Sequence, residues 1–412
     1  MKQIPIGKVA SVRSGFAFKS KDWLEAGIPV IKIGNVKAGW VVLEGCSFVD
    51  EEVARMASDF ELNPGDILIS MTGHIGEVAK VRSEGRMLLN QRVGKFRIHD
   101  QNTLNQDYLY YCLQDKDLKK AMCAHAYGAA QPNISSSLIE QQKIPLPTLL
   151  EQKRIAEILS AYDQLIENSQ RRIKILETMA RNLYREWFVH FRFPGHENSP
   201  LIPSPLGDIP KGWEVKKLGE IVEFKSGFAF KSGTFTADGE HRLITIKNVQ
   251  DGAFNPVSES RMNELPERLP EYCILKDGDI LLSLTGNVGR VCLVYDGPFL
   301  LNQRVSKLAP IEAFDWALTY CMFRESDMRT KLEQLSNGVA QQNLSPIMAA
   351  KMEFALPPRA LREQFSIRAT PMIQRVIQLY SQIQNLRKTR DLLLPRLLSG
   401  QIPHHTPTAE AA

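Results

Sequence analysis

The sequence lacks the long apolar runs and cysteine clusters that mark several protein classes. No apolar stretch approaches the ~20 residues needed to cross a membrane, so the sequence predicts no membrane protein. The N-terminal MKQIPIGKVA has no apolar signal-peptide core, which predicts that the chain is not secreted. Its six cysteines are scattered without a CxxC pair or a Cys/His cluster, which argues against a zinc ribbon or a disulfide scaffold. Buried thiols in a reducing cytoplasm are therefore expected.

Catalytic motifs are also scarce. The chain has no GxxxxGK[ST] phosphate loop, no GxSxG elbow, no HExxH motif and no Asp/Asn-Pro-Pro-aromatic motif of adenine methylases. Asp208 followed by Glu214-Val215-Lys216 fits a nuclease pattern loosely, but a solvated linker is the better interpretation of this Pro- and Gly-rich segment. We predict no catalytic residue, metal ligand or cofactor in this chain, with a nuclease fused to recognition domains as an alternative.

The chain is nevertheless long and mildly basic. Its 412 residues, 43% of them hydrophobic, allow two or three domains with sizeable cores. The net charge of +5 permits a nucleic-acid partner without establishing one.

An internal repeat is the strongest signal in the sequence. SGFAFKS begins at Ser14 and again at Ser226, and GDILISMTGHIG at Gly65 returns as GDILLSLTGNVG at Gly278. LNQRV, at 89–93 and 301–305, follows at nearly the same offset, as do GAAQPNIS at 128–135 and GVAQQNLS at 338–345. Because this period is far too long for a solenoid, it predicts a duplicated domain.

Each copy combines a globular α/β part with a long helix. GDILIS and GDILLS are typical of buried strands, and DYLYYCL and WALTYCMF of helices. From Ile155 to Trp187 mostly apolar residues alternate spacings of four and three, and the second copy repeats this heptad seam from Phe365 to Leu397, with Arg390 as the exception. The two seams predict an antiparallel coiled coil.

Two details of the helices leave alternatives open. Thr370 as N-cap and Pro371 as first helical residue would suit a helix start, and a kink is the alternative. Tyr184, Trp187 and Phe188, near the end of the first helix, form either a partner surface or part of the core.

These patterns predict an α+β chain in which two tandem α/β domains are separated by two long helices, with a pseudo-two-fold internal repeat. The predicted boundaries are a first domain at 1–148, a first long helix at 149–190, a Pro-rich linker at 191–212, a second domain at 213–358, a second long helix at 359–399 and a flexible tail at 400–412.

Duplicated and in this order, the blocks resemble the specificity subunits of type I restriction–modification systems. The resemblance covers essentially the whole chain. Its markers are the duplicated strand with its TG loop, QPNIS at 131–135, IPLP and EQKRIA before and within the first helix, LYREWF at 183–188, the linker PLGDIPKGWEVKKLGEI and the closing LLLPRLLSGQI. The departures are Pro371 and the replacement of Pro132 by Gln342 in the second copy.

The resemblance implies that each α/β domain is a target recognition domain for one half-site of double-stranded DNA, and that the helices are a spacer. It implies two methylase subunits as partners, forming an adenine-N6 methyltransferase that uses S-adenosylmethionine. Two restriction subunits would add ATP- and Mg-dependent cleavage. The chain itself would be non-catalytic, cytoplasmic and independent of membranes. A coiled-coil adaptor without a nucleic-acid role is the other alternative.

The physics of DNA recognition refines this expectation. Two recognition domains on one rigid rod require half-sites on one face of the duplex, about 10 bp apart centre to centre. The DNA site should therefore be bipartite. Because the two domains differ in sequence, the site should also be asymmetric.

The repeat also sorts the candidate DNA-binding residues. Blocks identical in both copies cannot specify different half-sites, so SGFAFKS, GDIL and LNQRV are scaffold or phosphate contacts, with an internal salt bridge as the alternative for each arginine. Base contacts are expected where the copies diverge, including the segments after Val36 and Val249. The loop glycines either expose N–H groups to an anion or allow a tight turn, and the Asn and Gln side chains either bond adenine or cap turns. The candidates are Lys19, Thr72, Gly73, His74, Arg92, Gln131 and Asn133 in the first copy, and Lys231, Thr285, Gly286, Asn287, Arg304, Gln341, Gln342 and Asn343 in the second.

Overall fold

The computed structural model describes residues 1–37, 39–82, 84–126, 132–336 and 342–402. The chain forms two compact units, of which the first comprises Met1–Gln164 with Arg387–Ala412 and the second Leu165–Leu386. Gln131, Gln341 and most of the predicted tail lie outside the described residues. Across the described ranges, no helix combines the length and apolar character needed to cross a membrane.

The first unit is built on mixed, mostly antiparallel sheets flanked by short helices. Its strands are β1 (Gln3–Pro5), β2 (Ala10–Ser14), β3 (Ile28–Ile31), β4 (Val36–Lys37), β5 (Gly39–Val41), β6 (Ser47–Val49), β7 (Ile67–Ser70), β8 (Val78–Lys80), β9 (Leu88–Leu89), β10 (Val93–Ile98) and β11 (Lys143–Pro145). Its helices are α1 (Glu51–Met56), α2 (Gln106–Leu113), α3 (Lys116–Ala124), α4 (Ser136–Gln141) and the start of the long α5 (Leu149–Tyr184). The strand orders are β2-β10-β7-β8-β5-β4, β6-β3-β9 and β1-β11.

The second unit repeats much of this plan. Its strands are β12 (Leu201–Ile202), β13 (Ile209–Pro210), β14 (Glu214–Lys217), β15 (Val222–Ser226), β16 (His241–Ile244), β17 (Arg261–Met262), β18 (Ile274–Leu275), β19 (Ile280–Ser283), β20 (Val291–Leu293), β21 (Phe299–Leu301), β22 (Val305–Pro310) and β23 (Glu353–Leu356). Its helices are α6 (Trp316–Phe323), α7 (Ser326–Gln334), α8 (Pro346–Ala350) and most of α9 (Arg359–Ser399). The strand orders are β15-β22-β19-β20, β17-β16-β21-β18, β14-β23 and β12-β13.

Strand pairing confirms the duplication. β2 pairs with β10 so that Ser14 lies opposite Gly94, and β15 pairs with β22 so that Ser226 lies opposite Ser306. The predicted buried strands are β7 and β19, every residue of which is buried, because each lies between two neighbouring strands. The copies differ between these shared strands: β6 and β17 occupy the same place beside β3 and β16, but the first copy adds β4, β5 and α1, whereas the second adds β18.

The long helices pack through the predicted seam. A π-helical turn, Arg185–Val189, follows the end of α5. Within the second unit its Trp187 contacts Phe365 near the start of α9, with ring centroids 6.0 Å apart. Ile166, Ile173, Val376, Leu379 and Ile383 form one buried cluster. The helices are therefore antiparallel. Trp187 is buried, and Tyr184 and Phe188 pack against the same core, so the core alternative holds for these aromatics.

The interpretation of Thr370 as an N-cap is wrong. α9 begins at Arg359 and continues through Pro371. Proline removes one backbone hydrogen bond, which would run to the carbonyl of Ile367. The Ile367 side chain is 73% exposed, so this carbonyl lies on a turn that water can reach. Packing of the remaining seam holds the helix together.

The polar exception in the seam is part of a buried network in the first unit. Arg390 Nη1 donates to Asp163 Oδ1 at 2.6 Å, and the Tyr111 hydroxyl donates to Asp163 Oδ2 at 2.8 Å. The side chains of Arg390 and Asp163 are only 22% and 13% exposed. Arg390 and its ion pair therefore occupy a seam position at which the heptad pattern predicts an apolar side chain.

The second unit has a buried polar contact of its own. The Tyr320 hydroxyl donates to Glu177 at 3.3 Å, and burial raises the pKa of that carboxyl group.

The linker is ordered, and most of the cysteines are buried, as predicted for the thiols. In the linker β12 pairs with β13, and the chain continues into the buried Trp213, so the segment is ordered. All six cysteines are free thiols. Four of them are buried, whereas Cys123 is exposed and Cys46 is half-buried.

Candidate nucleic-acid interface

In the first domain the loop after β7 pairs with a distant segment. Gly73 N donates to the Pro132 carbonyl at 2.9 Å, and Ile134 N donates to the Met71 carbonyl at 2.9 Å. Thr72 lies opposite Asn133, and its hydroxyl donates to the Asn133 side-chain oxygen at 2.5 Å. The fold thus joins two of the repeated blocks at one place.

The second domain builds the same junction. Gly286 N donates to the Gln342 carbonyl at 3.1 Å, and the Thr285 hydroxyl donates to the Asn343 side-chain oxygen at 3.2 Å. Leu344 N donates to the Leu284 carbonyl at 2.8 Å. In both copies the Asn side-chain oxygen is therefore used to position the loop, which favours a structural role for this oxygen.

The loop glycines serve the turn. Gly73 and Gly286 have φ angles of 70° and 75°, in the left-handed region that favours glycine. Their N–H groups already donate to carbonyl oxygens, so these two donors are not available to an anion. His74 and Asn287 are exposed at the loop tips, at the one polar position of the loop where the two blocks differ.

The blocks shared by both copies hold one another in place. Phe16 N donates to the Leu89 carbonyl at 2.8 Å, which joins SGFAFKS to LNQRV. The Asp of GDIL pairs with a strand lysine in each copy: Asp66 with Lys95 at 2.5 Å, and Asp279 with Lys307 at 2.7 Å. These contacts give the Asp of GDIL and the backbone at Phe16 and Leu89 a scaffold role.

The basic side chains of these blocks do not belong to this scaffold. Arg92 and Arg304 are exposed, and neither has an ion-pair partner in the part of the chain that the structure describes, so the internal salt bridge fails there as an explanation. The Arg92 carbonyl accepts a hydrogen bond from Met71 N at 3.1 Å, which places this residue beside the TG loop. A cleft of about 340 Å³ opens there, lined by Ser14, Met71, Thr72, Gln91, Arg92, Asn133, Ile134, Ser135 and Ser136.

The candidate lysines Lys19 and Lys231 are also exposed, each beside a short 3-10 turn.

The structure reveals candidates that the sequence reasoning missed. Beside the second TG loop lies a cleft of about 220 Å³, lined by Ile246, Lys247, Gln250, Ser283, Thr285, Asn287 and Arg290. Arg290 directly follows the repeated block GDILLSLTGNVG, and the corresponding residue of the first copy is Glu77. This reversal of charge next to a repeated loop is the sequence signal that could have identified the position.

Comparisons with known proteins agree with this architecture. The family described as "Type I restriction modification DNA specificity domain" matches residues 1–178 and 210–369. The MjaIX type I restriction enzyme specificity subunit of Methanocaldococcus jannaschii is 27% identical over 346 residues, which cover 82% of this chain and 78% of the relative. The EcoBI specificity subunit of Escherichia coli is 22% identical over 414 residues, covering 96% and 82%.

A solved structure shares the fold. The crystal structure of the type I restriction–modification S subunit from M. genitalium superimposes with a TM-score of 0.59 at 18% sequence identity, and the match covers 96% of each chain. Since the family match includes the TG loop and strand scaffold of both copies, this chain belongs to the type I restriction modification DNA specificity domain family.

Proposed function

We propose that this chain is the DNA specificity subunit of a type I restriction–modification complex and binds a bipartite, asymmetric site. One observation carries the proposal: the same strand-and-loop scaffold occurs twice, and the exposed residues around its TG loop differ between the copies. A shared scaffold presents DNA-contacting side chains in the same way in both domains, and different side chains select different bases.

The long helices support a role in assembly. Along α5 the side chains of Ile158, Leu165, Ile175 and Met179 are 39%, 50%, 52% and 49% exposed. At 3.6 residues per turn they fall on one side of the helix, beside the seam. We assign this face to methylase subunits, of which two would join one specificity chain, with two restriction subunits in the full complex.

The proposed chemistry belongs to these partners. S-adenosylmethionine would bind the methylase subunits, and ATP and Mg the restriction subunits. This chain would be non-catalytic, with its DNA in the cytoplasm. Within the described residues no group of three His, Cys, Asp or Glu side chains is placed to hold a metal ion.

Mapping of adenine methylation tests the proposal. The chain is co-expressed with the methylase encoded beside it, and genomic DNA is compared with a control that lacks this chain. We expect a bipartite, asymmetric motif that appears only when the chain is present, because the methylase depends on it for sequence recognition. The absence of new methylation, with both proteins soluble and associated, would favour the coiled-coil adaptor. Cleavage of DNA by the purified chain with Mg alone would favour the nuclease.

Removing the shared arginines should weaken DNA binding without changing its sequence preference. For Arg92→Ala and Arg304→Ala in the methylase complex, we expect the slope of log K against log salt to become shallower by about one each, as when one phosphate contact is lost. Fluorescence anisotropy on the mapped site at several salt concentrations measures the slope. The matched control is Arg375→Ala, which removes an exposed α9 arginine whose guanidinium bonds Gln378. An unchanged slope in both variants, or a changed methylation motif, would contradict the phosphate assignment.

A further inference from the structure

We propose that Arg290, held in place by Gln250, contacts a guanine base in the half-site bound by the second domain. The inference rests on the proposed function and names a specificity-determining residue within it. Arg290 lies one position beyond a repeat block, and Gln250 lies in the divergent segment after Val249, where the sequence predicts base contacts.

The backbone at Arg290 is held rigidly. Arg290 N donates to the Ser283 hydroxyl oxygen at 3.0 Å, and Ser283 N donates to the Arg290 carbonyl at 3.0 Å. Ser283 is only 1% exposed and belongs to the central strand β19. The guanidinium therefore extends from a fixed point at the rim of the cleft beside the TG loop.

The side chain of Arg290 is held as well. Its Nη1 donates to Gln250 Oε1 at 2.6 Å, and Gln250 Nε2 donates to the Lys247 carbonyl at 2.9 Å. Because arginine can only donate and a carbonyl can only accept, the two contacts fix which end of the Gln250 amide faces the arginine. A guanidinium that is already oriented loses little conformational freedom when it binds a planar acceptor pair.

Most of the donor capacity of Arg290 stays free. A guanidinium has five N–H donors. The Nε donor of Arg290 is buried without a hydrogen-bond partner, and the described residues accept from the terminal nitrogens only through Gln250, so three terminal N–H groups remain. The nearby carboxylate, Asp251, is engaged by Arg324 and by Arg329, the latter at 3.6 Å. Among the residues that the structure describes, no acidic side chain lines the cleft, whose other polar side chains include Lys247 and Asn287. The site therefore suits an acceptor ligand.

Comparison of the copies separates a base contact from a phosphate contact. In the first domain the corresponding Glu77 N makes the same bond to the Ser70 hydroxyl oxygen at 3.0 Å, but the Glu77 carboxylate pairs with Lys119. The phosphate backbone is chemically the same in both half-sites, so a phosphate contact would keep its positive charge in both copies. A reversal from glutamate to arginine at an equivalent backbone position marks a residue that faces the variable part of DNA, the bases.

Guanine is the base whose edge fits this group. In the major groove guanine presents two acceptors, O6 and N7, which a guanidinium contacts bidentately. Adenine and cytosine each present a donor there, which arginine cannot accept. The second half-site should therefore contain a guanine that depends on Arg290.

The test is methylation mapping with Arg290 variants in the complete chain, co-expressed with its methylase. For Arg290→Ala and Arg290→Lys we expect one guanine position in one half-site to relax to other bases, while the other half-site stays unchanged. Loss of a bidentate contact should reduce the preference for that guanine about 5- to 150-fold, the range of 1–3 kcal/mol for such a pair. The lysine variant keeps the charge and cannot form the fork, so it separates base recognition from simple attraction.

Two controls make the result decisive. Gln250→Leu should weaken the preference for the same guanine, whereas Arg304→Ala should lower methylation at every site without changing the motif. A motif that is unchanged in both Arg290 variants, or a uniform fall in methylation that Arg290→Lys restores, would overturn the inference and indicate a phosphate contact. A wild-type complex without any bipartite motif would instead refute the proposed function, and this inference with it.

Discussion

Gly227→Ala is expected to destabilise the second unit by about 3 kcal/mol or more, because the added methyl group meets only backbone atoms. A Cβ at this position would lie 2.2 Å from the Asn302 carbonyl oxygen and 2.6 Å from that of Leu301. Phe228 N donates to the same Leu301 carbonyl at 2.9 Å, and Gly227 N donates to the Val305 carbonyl at 3.1 Å. The clash can be relieved only by separating these strands, which breaks the bonds that join the repeated blocks.

Thermal unfolding measures the loss of stability, and hydrogen exchange of backbone amides shows which unit has lost it. At about 2–4 °C per kcal/mol for a unit of this size, the transition of the second unit should fall by roughly 6–12 °C. Gly15→Ala should act in the same way on the first unit, since its Cβ would lie 2.2 Å from the Leu89 carbonyl oxygen. The matched controls are Gly233→Ala and Gly34→Ala, at which an added Cβ meets nothing within 4 Å. A loss no larger than in these controls would show that the strands can move apart at little cost.

Arg390→Met is expected to destabilise the first unit by about 2–4 kcal/mol. The substitution keeps much of the side-chain volume but leaves the Asp163 carboxylate mostly buried, with the Tyr111 hydroxyl as its remaining bonded partner among the contacts described above. An unpaired carboxylate in such a place costs more than the ion pair contributes. Denaturant unfolding of the full chain measures the loss, with Arg375→Met as the control on an exposed face of α9.

A double-mutant cycle separates the two sources of this loss. Asp163→Asn combined with Arg390→Met removes both charges, so it should cost at least about 1 kcal/mol less than the sum of the single variants. Additive effects would mean that the two side chains do not interact across the helix pair. A stability of Arg390→Met equal to that of the control would mean that water solvates the Asp163 carboxylate fully.

Arg390 and Pro371 show where periodicity stops being informative. The spacing of apolar residues located both long helices, because a heptad seam is a local property that every turn repeats. The same spacing offered no explanation for Arg390, whose partner Asp163 lies 227 residues away in the chain. Local preference also misjudged Pro371, since a proline can lie inside a helix when packing on either side outweighs one lost hydrogen bond.

The candidate interface likewise has residues that the sequence identified and contacts that only the structure revealed. The repeat identified the TG loops, the arginines of LNQRV and the divergent positions His74 and Asn287, because identity and difference between two copies are visible in the sequence. It did not reveal that Thr72 bonds Asn133, which removes that oxygen from the set of free acceptors. Nor did it reveal Arg290, whose significance depends on the contact with Gln250, 40 residues away.

The sequence by itself determined the duplication, the buried GDIL strands, the two long helices with their apolar seams and the family resemblance, since these depend on local periodicity and on blocks that recur in order. Only the tertiary structure decided which side chains in those blocks hold the scaffold and which remain free at the surface. The physical reason is that a hydrogen bond or ion pair depends on distance in space, and residues far apart in the chain approach one another only when the strands and helices have packed.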